Sequence, residues 1–425
     1  MEVNMKKLVM KCLIVSLFIQ IGTTLLAQTD WTKYGGNPVL EVGPAGSWDD
    51  QMVGQSSVLI DGTTYRMWYS GDDGTHNRIG HATSPDGITW AKDTLNPVLD
   101  VGPAGSWDDE RVMFPTVVFN GSMFHIWYYG SDGTHGRIGH ATSPDGITWT
   151  KDTLNPVLDV GPAGSWDDDG LLTPFVRFDG AIYHMWYSGD DGTHNRIGYA
   201  TSPDGITWTK DTLNPVLDVG PAGSWDSPRV QSQCVINNGT NYQMWYSGGG
   251  LFTWRIGHAT SPDGITWTKD TLNPVLDVGS AGSWDHYYVA SPSVIFDIAT
   301  STYKMWYMGG FEAWQGNIGY AIDTPPVGID DNNPTDLPGR FALSQNYPNP
   351  FNPVTTIQYE LPQRSDVQIT VYDLLGKEVI KLVYETQEAG FKSVQWDATN
   401  IPSGMYFYQI RAGEFIDIKK CVLIK

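Results

Sequence analysis

The sequence predicts an all-β fold in which a five-bladed β-propeller, closed by an N-terminal strand, precedes a small immunoglobulin-like β-sandwich. Five copies of one segment follow each other at a constant step of 59 residues, and such a step indicates a repeat architecture. Each copy holds short runs of β-branched and aromatic residues between turns, which is typical of strands. The step is marked by two tryptophan series: Trp31, Trp90, Trp149, Trp208 and Trp267, and Trp48, Trp107, Trp166, Trp225 and Trp284.

The second copy contains the four strands that we predict for every blade. Residues 117–119 and 124–128 form an antiparallel pair around an Asn-Gly turn. Residues 137–142 form a third strand, and residues 147–150 form a fourth after a Ser-Pro-Asp-Gly turn, whose residues favour a reversal. Four antiparallel strands repeated around an axis make a propeller blade.

The two ends of the repeat region predict how the ring closes. The last copy stops after its third strand, near residue 323, and a matching fourth-strand pattern stands at residues 29–33. Placing that N-terminal segment in the last blade completes five blades and leaves no exposed sheet edge. We therefore predict a ring that is closed by its N-terminal strand.

The chain divides into four predicted segments. Residues 1–27 have a basic start, an apolar run and a small-residue cleavage site, as in a Sec signal peptide. Residues 28–323 form the propeller, residues 324–340 have the Pro-rich and Asp-rich composition of a linker, and residues 341–425 form the sandwich. No other stretch approaches ~18 apolar residues, so the mature chain is predicted to have no transmembrane segment.

Charge and cysteine content exclude several kinds of function. The formal net charge is -21, and removal of residues 1–27, which hold one glutamate and three lysines, moves it to about -23. Because so acidic a surface repels nucleic acid, no nucleic-acid partner is expected. Only Cys234 and Cys421 remain after processing, in different predicted domains, so neither a disulfide framework nor a cysteine metal site is expected.

The C-terminal segment resembles the type A sorting domain of the type IX secretion system. The resemblance is carried by NYPNPFNPVTTIQYELP (346–362), VYDLLGKEV (371–379), the pair Trp396-Asp397, GMYFYQI (404–410) and the terminal KKCVLIK. It implies that the type IX secretion machinery is a partner and that the chain crosses the outer membrane, to be released or attached to the cell surface. An accessory sandwich without a targeting role is the alternative.

Residues 31–323 resemble the five-bladed propellers of glycoside hydrolase families 43, 32, 68 and 130. The resemblance is carried by repeats of the form WD, PSVI, YKMWYSG, RIGYATSPDGITW and NPVL. It implies the fold and a carbohydrate partner, and for the catalytic blades it implies an acid just before the Pro-x-Val of the innermost strand. At the five equivalent positions this chain instead has Gln55, Phe114, Thr173, Ser232 and Ser291.

The copies differ from one another mainly on one face of the predicted ring. They diverge after the repeated Trp-Asp pair, where the innermost strand enters the channel, and in the loop between the second and third strands. Aromatic side chains beside polar groups are typical of sugar-binding surfaces, so we predict a carbohydrate-binding face. The alternative is that these segments changed after duplication of the repeat without acquiring a function. The candidate ligand-binding residues are Trp254, Trp314, Phe252, Phe311, Arg111, Arg229, His286, Tyr287 and Gln55.

A glycoside hydrolase is the competing prediction, and it requires two carboxyl groups on either side of the scissile bond. The candidates are displaced from the expected position, with Glu110 as the acid and Asp50 or Asp169 as the base. A purely structural surface protein is a third alternative. The Asp that follows each Trp of the second series is predicted to be structural, because it occurs in every blade. Neither a cofactor nor a metal ligand set is predicted, although a structural calcium ion in the channel is compatible with the sequence.

Overall fold

The computed structural model describes residues 31–323 and 341–424, apart from 239–240, 251–252, 298–301, 313–314, 344–345, 347–348, 350, 375 and 414. The predicted signal peptide (1–27) and linker (324–340) lie outside the described residues. These ranges contain β-strands and no α-helix, which confirms the all-β prediction. No helix in them is long and apolar enough to cross a membrane.

The ring is built from the first twenty strands of the described chain. They are β1 (Trp31–Lys33), β2 (Met52–Asp61), β3 (Thr64–Asp72), β4 (Asn77–Ser84), β5 (Ala91–Lys92), β6 (Arg111–Phe119), β7 (Phe124–Ser131), β8 (Gly136–Ser143), β9 (Thr150–Lys151), β10 (Gly170–Phe178), β11 (Tyr183–Asp190), β12 (Asn195–Ser202), β13 (Thr209–Lys210), β14 (Arg229–Asn237), β15 (Tyr242–Gly249), β16 (Trp254–Ser261), β17 (Thr268–Lys269), β18 (Tyr288–Asp297), β19 (Thr302–Glu312) and β20 (Gln315–Asp323).

Five four-stranded antiparallel blades surround one channel. Blades 1 to 4 are β2–β5, β6–β9, β10–β13 and β14–β17, and blade 5 is β18–β20 with β1 as its outer strand. The innermost strands β2, β6, β10, β14 and β18 contact one another in a closed cycle. The ring therefore has five blades and is closed by its N-terminal strand, as the repeat pattern predicts.

Backbone hydrogen bonds and a side-chain ion pair hold the closing strand in blade 5. Thr32 pairs with Ile322, and the backbone of Leu40 exchanges hydrogen bonds with Ile318. Lys33 Nζ lies 2.7 Å from Asp285 Oδ2 in the same blade. The other four blades repeat this lysine–aspartate contact, so the closure reproduces the internal structure of a continuous blade.

The Met-Trp-Tyr run of the second strand explains the tryptophan content of the core. Successive side chains of a strand point to opposite faces, so Trp68 packs towards blade 2 and Tyr69 towards blade 5. Trp68 Nε1 donates a 2.7 Å hydrogen bond to the carbonyl of Gly146 in the Ser-Pro-Asp-Gly turn of blade 2. Gly146 has a φ of 77°, and a Cβ there would come within 2.9 Å of the Trp68 ring. The turn is thus held against its neighbouring blade.

The predicted outer strand is displaced along the chain. In blade 2 the strand is only Thr150–Lys151, whereas we predicted residues 147–150. The reason lies in Asp145, whose Oδ1 accepts hydrogen bonds from the backbone N–H groups of Ile147 (2.8 Å) and Thr148 (2.7 Å). These bonds hold the backbone in a turn, since a side-chain acceptor competes with the sheet for the same donors.

The C-terminal segment is a two-sheet β-sandwich. One sheet has the order β21-β22-β25 and the other has the order β24-β23-β26-β27, around a core that includes Trp396 and Ile369. The sequence pattern predicts five strands here, at residues 355–361, 367–372, 393–396, 405–410 and 415–423. It misses β21, which has only two residues, and β24, whose apolar and polar residues do not alternate cleanly. The strands are β21 (Ala342–Leu343), β22 (Val354–Leu361), β23 (Ser365–Tyr372), β24 (Glu378–Gln387), β25 (Gly390–Asp397), β26 (Gly404–Ala412) and β27 (Phe415–Leu423).

Candidate functional site

The divergent segments meet at one end of the channel, as predicted. The backbone N–H of Gln51 donates to Asp72 O (2.9 Å), and that of Glu110 donates to Ser131 O (3.1 Å), so each innermost strand begins beside its own blade's second-to-third-strand loop. We call this surface the mouth. It comprises residues 50–55, 109–114, 168–173, 227–232 and 286–291, with the loops 72–77, 131–136 and 190–195 and the described residues 249–250, 253–254, 310–312 and 315.

A β-bulge interrupts all five innermost strands at the same depth. The bulged residues are those that stand where an acid is expected in a catalytic blade, and they have φ values of 41°, 55°, 42°, 53° and 53°. A left-handed conformation costs a non-glycine residue roughly 1–2 kcal/mol, and such strain is often found at functional sites. The bulged residues are Gln55, Phe114, Thr173, Ser232 and Ser291.

Hydrogen bonds from the preceding blade hold three of the five bulges, at Phe114, Ser232 and Ser291. The backbone N–H of Phe114 donates to Ser70 Oγ (2.9 Å), and that of Ser291 donates to Ser247 Oγ (2.8 Å). In both pairs the serine belongs to the second strand of the preceding blade. In these three blades the strained conformation is therefore stabilised by contacts between blades.

The bulges surround a cavity of about 50 Å³, which has room for a few water molecules. Its described lining combines polar and apolar residues and contains no carboxyl group. Three buried lining atoms, Gln55 Oε1, Ser56 Oγ and Ser232 Oγ, have no hydrogen-bond partner within the described chain. The lining residues are Gln55, Ser56, Ser57, Phe114, Pro115, Thr116, Thr173, Pro174, Phe175, Ser232, Gln233, Ser291, Pro292 and Ser293.

The three candidate catalytic acids lie outside this cavity. Asp50 caps a turn, because its Oδ2 accepts from the backbone N–H of Gly46 (2.6 Å) and its Oδ1 from Gln51 Nε2 (3.0 Å). Glu110 and Asp169 are exposed and adjoin the 131–136 loop of blade 2. A Cβ on Gly133 would lie 2.7 Å from Glu110 Oε2, and His135 Nδ1 lies 2.9 Å from the Asp169 carbonyl.

The structure thus brings Glu110 and Asp169 to one loop and leaves Asp50 in a separate turn. No hydrogen bond joins any two of the three within the described part of the chain. No group of three or more His, Cys, Asp or Glu side chains that could hold a metal ion occurs there either.

The repeated Asp of the Trp-Asp pair is structural, as predicted. In blade 2, buried Asp108 accepts from Lys151 Nζ (2.6 Å), Tyr128 Oη (3.1 Å) and Ser106 Oγ (3.1 Å). Burial, together with the neighbouring carboxylate, raises the pKa of the Tyr128 hydroxyl, which therefore stays protonated as a donor. The same contacts recur at Asp49, Asp167, Asp226 and Asp285.

An apolar cluster underlies one side of the mouth. Buried Met52, Tyr288, Ala290 and Met308 form it, and partly buried Trp254, Tyr287 and Met113 pack against it. Phe311, further along the mouth, is 45% exposed. Phe252 and Trp314 lie outside the described residues.

The remaining predicted ligand residues are polar. Gln55 Nε2 donates to Met308 Sδ (3.2 Å), and His286 Nδ1 lies 2.7 Å from Ser283 O. Arg111 and Arg229 occupy equivalent positions at the starts of β6 and β14.

Sequence reasoning missed an aromatic pair at the mouth. Phe114 and Tyr129 meet edge to face with ring centroids 5.7 Å apart. Tyr129 stands where three other blades have Ser70, Ser188 and Ser247, so a comparison of the second strands would have revealed it. Met308 is the fifth member of this series and fills the space above Gly54, where a Cβ would lie 2.6 Å from its Sδ.

Comparison with known proteins identifies relatives of both parts of the chain. A family model described as the secretion system C-terminal sorting domain matches residues 345–425. The sorting domain indicates export, to the outer membrane or the cell surface. The uncharacterized protein Rv1502 of Mycobacterium tuberculosis strain ATCC 25618 / H37Rv is 30% identical over 225 residues, which cover 50% of this chain and 72% of that protein.

Solved structures share the propeller fold. One described as a glycoside hydrolase has a TM-score of 0.58 at 22% identity and covers 70% of this chain and 93% of its own. A second comes from work on the GH130 family of mannoside phosphorylases, which contains hydrolases that target β-1,2 mannosidic linkages in Candida mannan. It has a TM-score of 0.54 at 17% identity, with 71% and 95% covered. The chain therefore has the fold of propeller glycoside hydrolases with a secretion sorting tail, and it belongs to the same family as Rv1502.

Proposed function

We propose that this chain is an exported propeller that binds a polysaccharide or oligosaccharide at its mouth without cleaving it. The observation that carries the proposal is the channel cavity, whose described lining contains no carboxyl group. Glycoside hydrolysis needs one protonated and one ionised carboxyl on either side of the bond. The five strained bulge positions carry amide, hydroxyl and aromatic groups instead, and these groups suit recognition of sugar hydroxyls and ring faces.

The surroundings of the candidate acids support binding over hydrolysis. A general acid at neutral pH needs a raised pKa, which usually comes from burial in an apolar pocket. Glu110 and Asp169 are exposed, and Asp50 is engaged in a turn. By contrast, Phe311 and the partly buried Trp254 and Tyr287 offer apolar surface beside polar groups.

Export completes the proposal. Residues 1–27 direct the chain through the Sec pathway, and the sorting domain then passes it to the type IX secretion machinery. The propeller is the exported cargo, and it binds its saccharide outside the outer membrane.

Replacing the exposed Phe311 with alanine is expected to weaken saccharide binding by about tenfold, because a stacked aromatic ring contributes roughly 1 kcal/mol beyond its buried area. The full chain is titrated calorimetrically with oligosaccharides of arabinan, xylan, fructan and mannan. Phe119→Ala is the matched control, since Phe119 is 49% exposed at the other end of β6, on the opposite face. Equal weakening by both substitutions would contradict a binding site at the mouth.

A glycoside hydrolase is the second candidate function, supported by the exposed Glu110 and Asp169 beside one loop. We expect no reducing-end release from the same four polysaccharides, because neither acid is buried. If release is observed and Glu110→Gln lowers it by at least about 100-fold, as removal of a general acid does, the hydrolase replaces the binding proposal. The control is Asp50→Asn, which should leave any such release unchanged.

A further inference from the structure

Nearly every cation of the ring has an acidic partner. All six ring lysines form an ion pair within the described chain, and so do five of the eight ring arginines: Arg66, Arg78, Arg137, Arg196 and Arg255. Arg177 also has an interaction partner. Arg111 and Arg229 differ. Neither has an ion pair with any described residue, in a protein whose formal net charge is -21.

The two unpaired arginines occupy the same position in different blades. Each is the first residue of an innermost strand, and its backbone pairs with the first residue of the preceding blade's third strand, Asn77 for Arg111 and Asn195 for Arg229. Both therefore lie at the mouth, one in blade 2 and one in blade 4.

Blade 3 lies between them and has no charged side chain at this position. Its equivalent residue is Gly170, which is buried, and a Cβ added there would meet nothing closer than the backbone nitrogen of Gly136, at 3.7 Å. A Cβ would fit, so close packing does not require this glycine.

The side chain of Arg229 also lacks a hydrogen-bond acceptor. Its Nε is buried and has no partner within the described residues. An unsatisfied buried donor on a charged group costs roughly 1.5–3 kcal/mol, which an anionic ligand with oxygen acceptors would recover. A guanidinium presents a fork of donors that matches a carboxylate or a sulfate.

We propose that the mouth binds an acidic saccharide, whose anionic groups pair with Arg111 of blade 2 and Arg229 of blade 4. This inference rests on the proposed function and specifies its ligand class. The anionic group is a uronic acid carboxylate or a sulfate ester, which share this recognition chemistry. Glu110 and Asp169, exposed at the same mouth, repel such a ligand and set a limit on its affinity.

The test titrates the full chain with three oligosaccharides of matched length: an oligogalacturonide, a sulfated galactan fragment and a neutral galactan fragment. The double variant Arg111→Met and Arg229→Met should lose binding of the acidic ligand by at least about 100-fold, about tenfold for each charge-assisted contact. Arg364→Met, which removes one exposed charge from the C-terminal domain, should change affinity less than twofold. Glu110→Gln should tighten binding of the acidic ligand about twofold or more.

The outcomes separate this inference from the proposed function. Preferential binding of the oligogalacturonide or of the sulfated fragment, lost in the arginine variant, supports the inference and identifies the anionic group. Equal binding of the neutral fragment, unchanged in the arginine variant, overturns it while leaving a saccharide-binding mouth intact. Binding of none of the three, or of the arabinan, xylan, fructan and mannan series, overturns both. Thermal unfolding of each variant shows that it is folded before it is titrated.

Discussion

Replacing Asp108 with alanine is expected to destabilise the ring by about 3–5 kcal/mol, because it breaks a buried ion pair by removing one partner. The carboxylate is 2% exposed and accepts hydrogen bonds from Lys151, Tyr128 and Ser106. After the substitution the buried Tyr128 hydroxyl loses an acceptor, and the Lys151 ammonium loses its carboxylate partner. Lys151 is 27% exposed, so water compensates part of its loss and the lower half of the range is the better expectation.

The measurement is the free energy of unfolding from urea denaturation of the full chain. Asp159→Ala is the matched control in the same blade, because Asp159 also pairs with a cation, Arg137, at 3.0 Å but is 62% exposed. An exposed ion pair contributes at most about 1 kcal/mol. If the two substitutions cost the same, the buried network does not stabilise the blade and the structural role of the repeated Asp is wrong.

Repetition made most of the ring predictable. The lysine–aspartate contact of Asp108 recurs in all five blades, and the tryptophan-to-turn hydrogen bond recurs for Trp68, Trp127, Trp186 and Trp306, so a single copy constrains most of the ring. The position of the outer strand was mispredicted for a local reason: Asp145 accepts hydrogen bonds from the backbone N–H groups that the sheet would have used. Strand β24 was missed because its edge position does not impose strict alternation.

The mouth was less predictable, because its geometry depends on backbone strain and on charge pairing in space. Gln55, Phe114 and Thr173 are not residues that favour a positive φ, so the residue types at these positions do not predict a bulge. Arg111 and Arg229 were recognisable as candidates, but their lack of partners became visible only once every other ring cation had been placed.

The ring is expected to lose stability as the pH falls from about 6.5 to about 4, because buried histidines must be neutral in the folded state. Burial lowers the pKa of His140 from 6.5 to about 4, and the nearby His125 contributes in the same direction. Asp152, 3.5 Å from His140 Nδ1, opposes the shift without cancelling it. Burial, with a contribution from Arg66, lowers the pKa of His81 to about 4 as well.

The direction of this change in stability follows from the number of protons that the folded and unfolded chains bind. Between the two pKa values the unfolded chain binds a proton that the folded chain does not, so the free energy of unfolding decreases as the pH falls. A pKa that moves from 6.5 to about 4 corresponds to about 3 kcal/mol for each histidine. The carboxylates of the Ser-Pro-Asp-Gly turns act in a lower range, because backbone hydrogen bonds lower the pKa of Asp145 to about 2.

The repeat supplies a reciprocal test. Blade 3 has Tyr199 at the position of His140, and its hydroxyl lies 2.6 Å from His184 Nδ1, much as His140 Nε2 lies 3.0 Å from His125 Nδ1. His140→Tyr should therefore reduce the loss of unfolding free energy between pH 6.5 and pH 4 by about 3 kcal/mol, and Tyr199→His should increase it by a similar amount. Urea denaturation at a series of pH values measures both. Parallel pH profiles for the wild type and the two variants would show that these positions do not control acid stability, since one substitution removes a buried imidazole and the other adds one.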